Sequence, residues 1–300
     1  MDFQTLHAHG KLLLTAEYAV LDGAFALAIP TALGQKFSFK KTPSSNFSIS
    51  WKSFDNEGNI WLDTTYPKEN PEGEEILLHQ IFDYLRAHYA NFQKFEYEVQ
   101  AYLEFPRNWG LGSSSTLVYF LGQLFNVNPY TINEKFFKGS GYDIACAGED
   151  TPITFMKKGG QYYFNETSIK WSFTNNLYFA FLGKKKNSRE AISHYKNNKS
   201  SKQFIDEMTR LTNRFLLAES LKEFQGLIEL HENLLSERLQ TKKVKDLLFP
   251  DLDGAVKSLG AWGGDFVLIA TEWEKEKLNN YLNEKEMDVL IPFSEMIFKK

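Results

Sequence analysis

The sequence predicts an α+β chain, built as two lobes or as one large domain. Its 300 residues exceed the usual size of a single hydrophobic core. Phe95, Tyr97, Val99, Ala101, Leu103 and Phe105 alternate with mostly polar neighbours, which is the period of a half-buried strand. A little further on, Leu117, Phe120, Leu121 and Leu124 fall at i, i+3, i+4 and i+7, the stripe of an amphipathic helix. A content of 43% hydrophobic and 15% aromatic residues is ample for a core.

From the N-terminus, residues 6–40 read as short strands joined by tight turns. Lys11 follows Gly10, then come Leu12, Leu13 and Leu14, and Glu17 to Leu21 lead into an Asp22-Gly23 turn signal. Glu17 interrupts an otherwise apolar neighbourhood and Lys11 opens it. Charges in such surroundings need partners. The two are either paired with each other or aimed at a ligand, and a structural ion pair is the expected reading. Phe47, Ile49 and Trp51 alternate as one arm of a hairpin whose return carries Ile60 and Leu62. Leu77, Ile81, Leu85 and Tyr89 mark a helix, with Glu74 and Glu75 placed to suit its dipole.

Beyond the central helix, Thr131 is expected to cap a short helix, with Glu134 completing a capping box. The chain then runs through Gly139 and Gly141 to Asp143, which is either a helix N-cap or a carboxylate presented at a cleft. Strands are expected at 153–156, 162–164 and 177–182. The basic run at 184–189, which ends in Ser188 and Arg189, is either a solvated surface or a contact for an anionic substrate. Two helices follow, one on Phe204, Met208, Leu211 and Phe215, the other on Phe224, Leu227, His231 and Leu234. His231 on that stripe reads as a hydrogen-bonded core histidine. Residues 257–270 read as a strand, a glycine hairpin with Gly263 and Gly264, and a second strand.

Between the alternating strand and the amphipathic helix lies P-R-N-W-G-L-G-S-S-S, residues 106–115. Gly110 and Gly112 permit positive φ and close approach of the backbone to a ligand. Ser113, Ser114 and Ser115 place orphan N–H groups and hydroxyls at the positive end of a helix. The arrangement suits phosphate, and it equally suits a serine-rich N-cap with no ligand. The Lys-Ser/Thr ending of the Walker loop is missing, which disfavours that nucleotide fold.

Composition narrows the classes further. A net charge of −4 argues against a general nucleic-acid binder. The single cysteine, Cys146, excludes an internal disulfide framework and a multi-cysteine metal site. Six scattered histidines contain no H-x-x-x-H pair, which argues against a zinc enzyme. No signal peptide and no apolar stretch of membrane-spanning length is visible, so a cytoplasmic protein without membrane partners is the expectation.

Three separated glycine segments, G-K-L-L-L-T-A-E-Y-A-V-L, P-R-N-W-G-L-G-S-S-S and G-A-W-G-G-D-F, resemble in order and spacing the three motifs of the GHMP kinases. That family includes galacto-, homoserine, mevalonate and phosphomevalonate kinases, and the resemblance spans about residues 10 to 270. The first and third segments look most like those of phosphomevalonate kinases. Mevalonate kinases tend to carry His where Tyr18 stands and a further Gly in place of Asp265. His9 stands where the family usually has Pro, and Trp262 replaces a motif-three glycine, where a bulky indole is expected to narrow the site.

The resemblance implies two α+β lobes: an N-terminal lobe over 1–172 like ribosomal protein S5 domain 2, and a ferredoxin-like lobe over 173–300. It implies an ATP-dependent small-molecule kinase acting on a mevalonate-pathway intermediate, phosphomevalonate ahead of mevalonate or another family substrate. A catalytically silent nucleotide-binding relative is the second reading. ATP phosphates would lie on Gly110, Leu111, Gly112, Ser113, Ser114 and Ser115, with Ser114 as a Mg²⁺ ligand and Glu134 as a second metal carboxylate. Asp143 and Lys11 would be catalytic. Glu17, Ser188, Arg189, Gly263 and Gly264 would face a small anionic acceptor. Phosphoryl transfer asks for positioning and charge neutralisation, which suits these residue types. No nucleic-acid partner is implied, and a homodimer stays open.

Overall fold

The alternation at Phe95–Leu103 forms a strand in which Tyr97, Val99, Ala101 and Leu103 are buried while Glu96 and Glu98 are exposed. The computed structural model describes residues 2–183, 188–197, 200–260, 262 and 264–297. Its first half runs β1 (Gln4–Leu13), β2 (Ala26–Pro43), β3 (Ser48–Phe54), β4 (Ile60–Tyr66), α1 (Glu75–His88), β5 (Phe95–Leu103), α2 (Ser113–Phe125), α3 (Pro129–Ile132) and α4 (Tyr142–Ala147). There follow β6 (Ile153–Lys158), β7 (Gln161–Glu166), β8 (Leu177–Phe181), α5 (Ser188–Lys196), α6 (Lys202–Leu216) and α7 (Leu221–Leu239). The chain ends with α8 (Val244–Leu248), β9 (Ala255–Ser258), β10 (Phe266–Ala270), α9 (Lys275–Asn283), β11 (Leu290–Pro292) and α10 (Phe293–Met296). Two compact units alternate along this order. The first holds Met1–Gly10, Leu33–Arg107 and Gly112–Gly148; the second holds Lys11–Ala32, Asn108–Leu111 and Glu149–Lys300.

In the first unit β3 and β4 form an antiparallel hairpin and β3 runs parallel to β5. The C-terminal part of β2 pairs antiparallel with β5, Phe37 opposite Ala101. Helices α1 and α2 pack on the face that carries Phe37 and Trp51. Phe37 stacks on Phe120 of α2 with ring centres 4.0 Å apart, and Trp51 meets Phe82 of α1 and Phe120 at 6.0 Å each. All four side chains are buried, each contributing roughly 1.5–3 kcal/mol by leaving water. This packing fixes α2, and with it the start of that helix.

In the second unit β6 pairs with the N-terminal end of β2, Ala26 opposite Phe155, and turns back as β7. A separate antiparallel sheet has the order β11-β8-β10-β9. With helices between β8 and β9 and between β10 and β11, this is the β-α-β-β-α-β ferredoxin-like arrangement. Strand β10, F-V-L-I-A, is buried at every position. It therefore reads as a continuous apolar run and not as an alternation. Its Val267 and Ile269 share a core with Val256 of β9 and with Leu278 and Leu282 of α9. Among the described residues no helix is long and apolar enough to cross a membrane.

Some local expectations change. Residues 6–40 fall mostly in two long strands, β1 of 10 residues and β2 of 18, in place of several short ones. The stretch before Gly23 is a 3-10 turn, Ala19–Asp22, closed by Gly23 at φ 92°. Thr131 does not cap a helix. Asn128 does, its side chain accepting from the Tyr130 N–H at 3.0 Å with Pro129 just inside the helix. The Thr131 hydroxyl instead donates to the Asn128 carbonyl at 2.7 Å. Proline at the first helical position suits that start because its missing N–H would be an orphan anyway. Glu134 consequently falls in a π turn, Asn133–Phe137, and is exposed. Asp143 is not an N-cap: Gly141, at φ 92°, holds that position and α4 starts at Tyr142.

Candidate functional site

Gly110 and Gly112 adopt φ 69° and 101°, the left-handed conformation that the sequence anticipates. Helix α2 begins at Ser113 with Gly112 as N-cap and no side-chain hydrogen bond at the cap. A helix start without a capping side chain leaves donors pointing outward. The three serines divide. Ser115 is buried and its hydroxyl donates to the Gly112 carbonyl at 2.8 Å. Thr116 behaves similarly, donating to the Ser113 carbonyl at 2.9 Å and to Gln35 Oε1 at 2.7 Å. Ser114 is exposed, and among the described residues no hydrogen bond engages its hydroxyl.

The residues just before Gly112 belong to the second unit, where three elements hold them. The Trp109 ring packs against Phe181 of β8 and Phe266 of β10, with centres 6.2 and 5.3 Å away. The Lys11 N–H donates to the Leu111 carbonyl at 2.8 Å, and Lys11 Nζ donates to the Gly110 carbonyl at 3.0 Å. Asp265, buried and itself at φ 55°, lays its carboxylate against Gly110. A Cβ on Gly110 would stand 2.4 Å from Asp265 Oδ2, and one on Gly260 would stand 3.0 Å from the same oxygen. The three glycine segments, far apart in sequence, thus meet at Gly110.

Glu17 does not pair with Lys11 as expected. It forms a buried ion pair with Lys257 of β9, and its Oε2 lies 3.1 Å from Nε2 of His231 on α7. Burial alone would raise the Glu17 pKa; the Lys257 charge and its hydrogen bond outweigh it and hold the carboxyl below its usual range. His231 is the buried, hydrogen-bonded histidine that its apolar stripe suggests, its Nε2 accepting from the Ala16 N–H at 3.0 Å. Tyr18 is buried, its hydroxyl accepts from the Trp262 N–H at 2.8 Å, and burial pushes its pKa up to about 12. The Trp262 indole is only 6% exposed and donates Nε1–H to the Lys242 carbonyl at 3.1 Å. That side chain is packed into the second unit. His9 is buried in the first unit, its ring edge-on to His7 at 4.7 Å.

No family model and no curated protein matches the chain by sequence. Solved structures match over nearly its whole length. The Lin0012 protein of Listeria innocua superposes with a TM-score of 0.73 at 15% identity, covering 97% of each chain. The phosphomevalonate kinase of Streptococcus pneumoniae, solved with phosphomevalonate and AMPPNP, gives 0.71 at 16% identity over 96% of this chain and 98% of its own. The mevalonate kinase of Methanococcus jannaschii gives 0.66 at 17% identity over 97% of each. The chain has the GHMP-kinase fold. A galactokinase and a heptose 1-phosphate kinase share that fold, so the fold does not by itself select an acceptor.

Within the GHMP-kinase fold the remaining candidates distribute as follows. Asp143 lies half-buried in the first turn of α4, its Oδ1 accepting from the Ile144 N–H at 3.2 Å. It belongs to the first unit with Ser113, Ser114, Ser115 and Glu134, while Lys11, Glu17, Gly110 and Leu111 belong to the second. Gly264 is buried beside Asp265. Ser188 and Arg189 open α5, but their side chains, like residues 184–187 and Gly263, lie outside the described residues. Among the described residues no group of three or more His, Cys, Asp or Glu side chains could hold a metal ion. Two contributors escaped the sequence reading: Trp109 as the anchor of the loop, and the Asp265 carboxylate as its brace. The signal for Asp265 was a carboxylate in a glycine hairpin, a residue type that tolerates positive φ.

Proposed function

We propose that the chain is an ATP-dependent kinase that transfers the γ-phosphoryl group to a small anionic acceptor, with phosphomevalonate favoured and mevalonate next. The observation that carries this reading is the meeting of three sequence-distant glycine segments at Gly110, immediately before an uncapped helix start. The donor set fits the cofactor. Orphan N–H groups and the exposed Ser114 hydroxyl are suited to phosphate oxygens. A site with few carboxylates suits Mg²⁺, which keeps several waters and draws ligands from substrate phosphates. When bound, ATP supplies the transferred group and Mg²⁺ neutralises phosphate charge.

The chain's own residues would then share the work. The head of α2 holds phosphate oxygens through backbone N–H groups, and Ser114 offers its hydroxyl to the metal. Lys11 steadies the loop at Gly110 and contributes positive charge. Asp143 orients the acceptor. The new bond joins an acceptor oxygen to the γ-phosphorus as the bond to the β,γ-bridging oxygen breaks. With a hydroxyl acceptor, Asp143 takes the proton. A phosphate acceptor has a second pKa near 6, so its attacking oxygen is already ionised and Asp143 has only to orient it. The basic run at 184–189 is the proposed contact for the acceptor's charge. The phosphomevalonate preference rests on Tyr18 and Asp265 in the first and third segments and on the Streptococcus pneumoniae structure.

ATP-consumption assays with phosphomevalonate, mevalonate, galactose and homoserine test the proposal, alongside calorimetry of Mg·ATP binding to Ser114→Ala. Phosphomevalonate should give the highest kcat/KM, and Ser114→Ala should weaken metal-dependent nucleotide binding with the fold intact. Better turnover of mevalonate would shift the acceptor. Unchanged Mg·ATP affinity in Ser114→Ala would remove the loop from the site.

A further inference from the structure

The first glycine segment continues as T-A-E-Y, with no glycine in it, yet Ala16 and Tyr18 both have φ 61°. L-residues rarely take up that region, and such a conformation persists only where the surroundings over-determine it. Here they do. The Ala16 N–H donates to His231 Nε2 at 3.0 Å. Thr15 Oγ1 accepts from the Leu27 N–H and from the Thr212 hydroxyl, both at 2.8 Å. Glu17 is locked to Lys257, and the Tyr18 hydroxyl holds the Trp262 N–H. The Tyr18 ring also stacks on Tyr195 with centres 5.4 Å apart.

The charges behind this turn are sealed from water. Lys257 and His231 are 0% exposed, Glu232 1% and Glu17 3%. Glu232 Oε2 accepts from the Ser258 N–H at 3.0 Å, and Lys257 Nζ donates to the Ser258 carbonyl at 3.1 Å. The same cluster therefore grips the end of β9, two residues before Gly260. Among the described residues its hydrogen bonding is incomplete: Glu17 Oε2, His231 Nδ1, Glu232 Oε1 and Ser258 Oγ are buried without a hydrogen-bond partner, although Glu232 Oε1 has His231 Nδ1 at 3.5 Å and Lys257 Nζ at 3.6 Å. Buried ion clusters seldom out-stabilise apolar side chains of similar volume. Stability alone is thus a poor reason for four charged or titratable groups at this place, whereas holding a strained turn is a good one.

We propose that Glu17, Lys257 and His231 are positioning residues that hold the Ala16–Tyr18 turn in its strained form, with Glu17 acting through the backbone and not on the acceptor. The turn continues β1, whose Lys11 holds the Gly110 carbonyl, and the cluster's other arm leads to Gly260 and Asp265. Both flanks of the phosphate loop would thus depend on one buried cluster. The activity arm of the test rests on the kinase reading; the amide-exchange arm does not.

The decisive comparison uses Glu17→Gln/Lys257→Met/Glu232→Gln, which removes the buried pair together with Glu232, the second carboxylate on Lys257, and leaves no charge stranded, with and without Ala16→Gly. The pairless protein should keep its cooperative melt, exchange the amides of residues 15–18 faster, and lose kcat on the order of 10²-fold, the scale of a misplaced catalytic group. Ala16→Gly, which takes positive φ without strain, should restore part of the protection and about tenfold or more of the lost kcat in that background, and change wild type little. His231→Gln, which keeps an acceptor for the Ala16 N–H, should slow exchange at that amide relative to His231→Leu. Equal effects of Ala16→Gly in both backgrounds, or unchanged exchange at residues 15–18 in the pairless protein, would overturn the proposal. If wild type turns over no acceptor, the exchange results decide it alone.

Discussion

Gly110→Ala tests whether the third glycine segment braces the loop. A Cβ at that position would stand 2.4 Å from Asp265 Oδ2, 2.6 Å from Cγ and 3.0 Å from Oδ1. All three are too close, so the carboxylate or the loop must move. The carboxylate has little room: Asp265 is buried, has φ 55°, and its Oδ2 also stands 3.0 Å from where a Cβ on Gly260 would lie. Overpacking of this kind costs about 1–3 kcal/mol. An L-residue in the left-handed region adds about 1–2 kcal/mol, so the sum is about 2–5 kcal/mol. That is a large share of the roughly 5–15 kcal/mol that stabilises a typical protein. In an Asp265→Ala background only the backbone part remains, so the same substitution should cost about 1–2 kcal/mol. Urea unfolding of the four proteins should therefore give a coupling energy of about 1–3 kcal/mol. Additivity within about 0.5 kcal/mol would refute the brace.

Asp143→Asn should lower kcat by a factor on the order of 10²–10⁴ with a hydroxyl acceptor, with little change in melting temperature because Gly141 caps α4. Lys11→Ala should do comparable damage, and the double variant should be little worse than either single one; normal turnover by Asp143→Asn would take the aspartate out of the mechanism. Acid stability should depend on Glu17. Its folded pKa lies below the ordinary value, so its contribution is full above about 4.3, the unfolded range, and is lost as pH falls through the folded pKa. The fall in melting temperature on acidification should be shallower in Glu17→Gln, and a parallel pH profile would contradict this.

The strand, loop and helix around Gly110 were legible because the apolar period switches from two to 3.6 across a run of glycine and serine. Nothing local could show that residues 108–111 join the second unit while 112–148 join the first. That division depends on Trp109 finding Phe181 and Phe266, contacts that no periodicity encodes. The Ala16–Tyr18 turn was hidden for a related reason. Positive φ is signalled in sequence by glycine or asparagine, and here alanine and tyrosine adopt it under tertiary constraint.

The misassigned partner of Glu17 shows what burial decides and sequence proximity does not. Lys11 is six residues from Glu17 in the chain and looked like its natural counter-ion. Lys257 is 240 residues away and sits in β9 at a position with no exposure at all. A fully buried ammonium must be neutralised where it stands, because its desolvation is otherwise uncompensated. A half-buried lysine keeps some solvation and can donate to a neutral carbonyl, as Lys11 does at Gly110. The carboxylate therefore goes to the cation that most needs it. The clue in the sequence was a set of charges standing where the pattern calls for apolar residues: Glu17 after a leucine run, His231 and Glu232 on a helix stripe, and Lys257 in a strand. Together they find polar partners only if all four share one buried site, and that site ties the first glycine segment to the third.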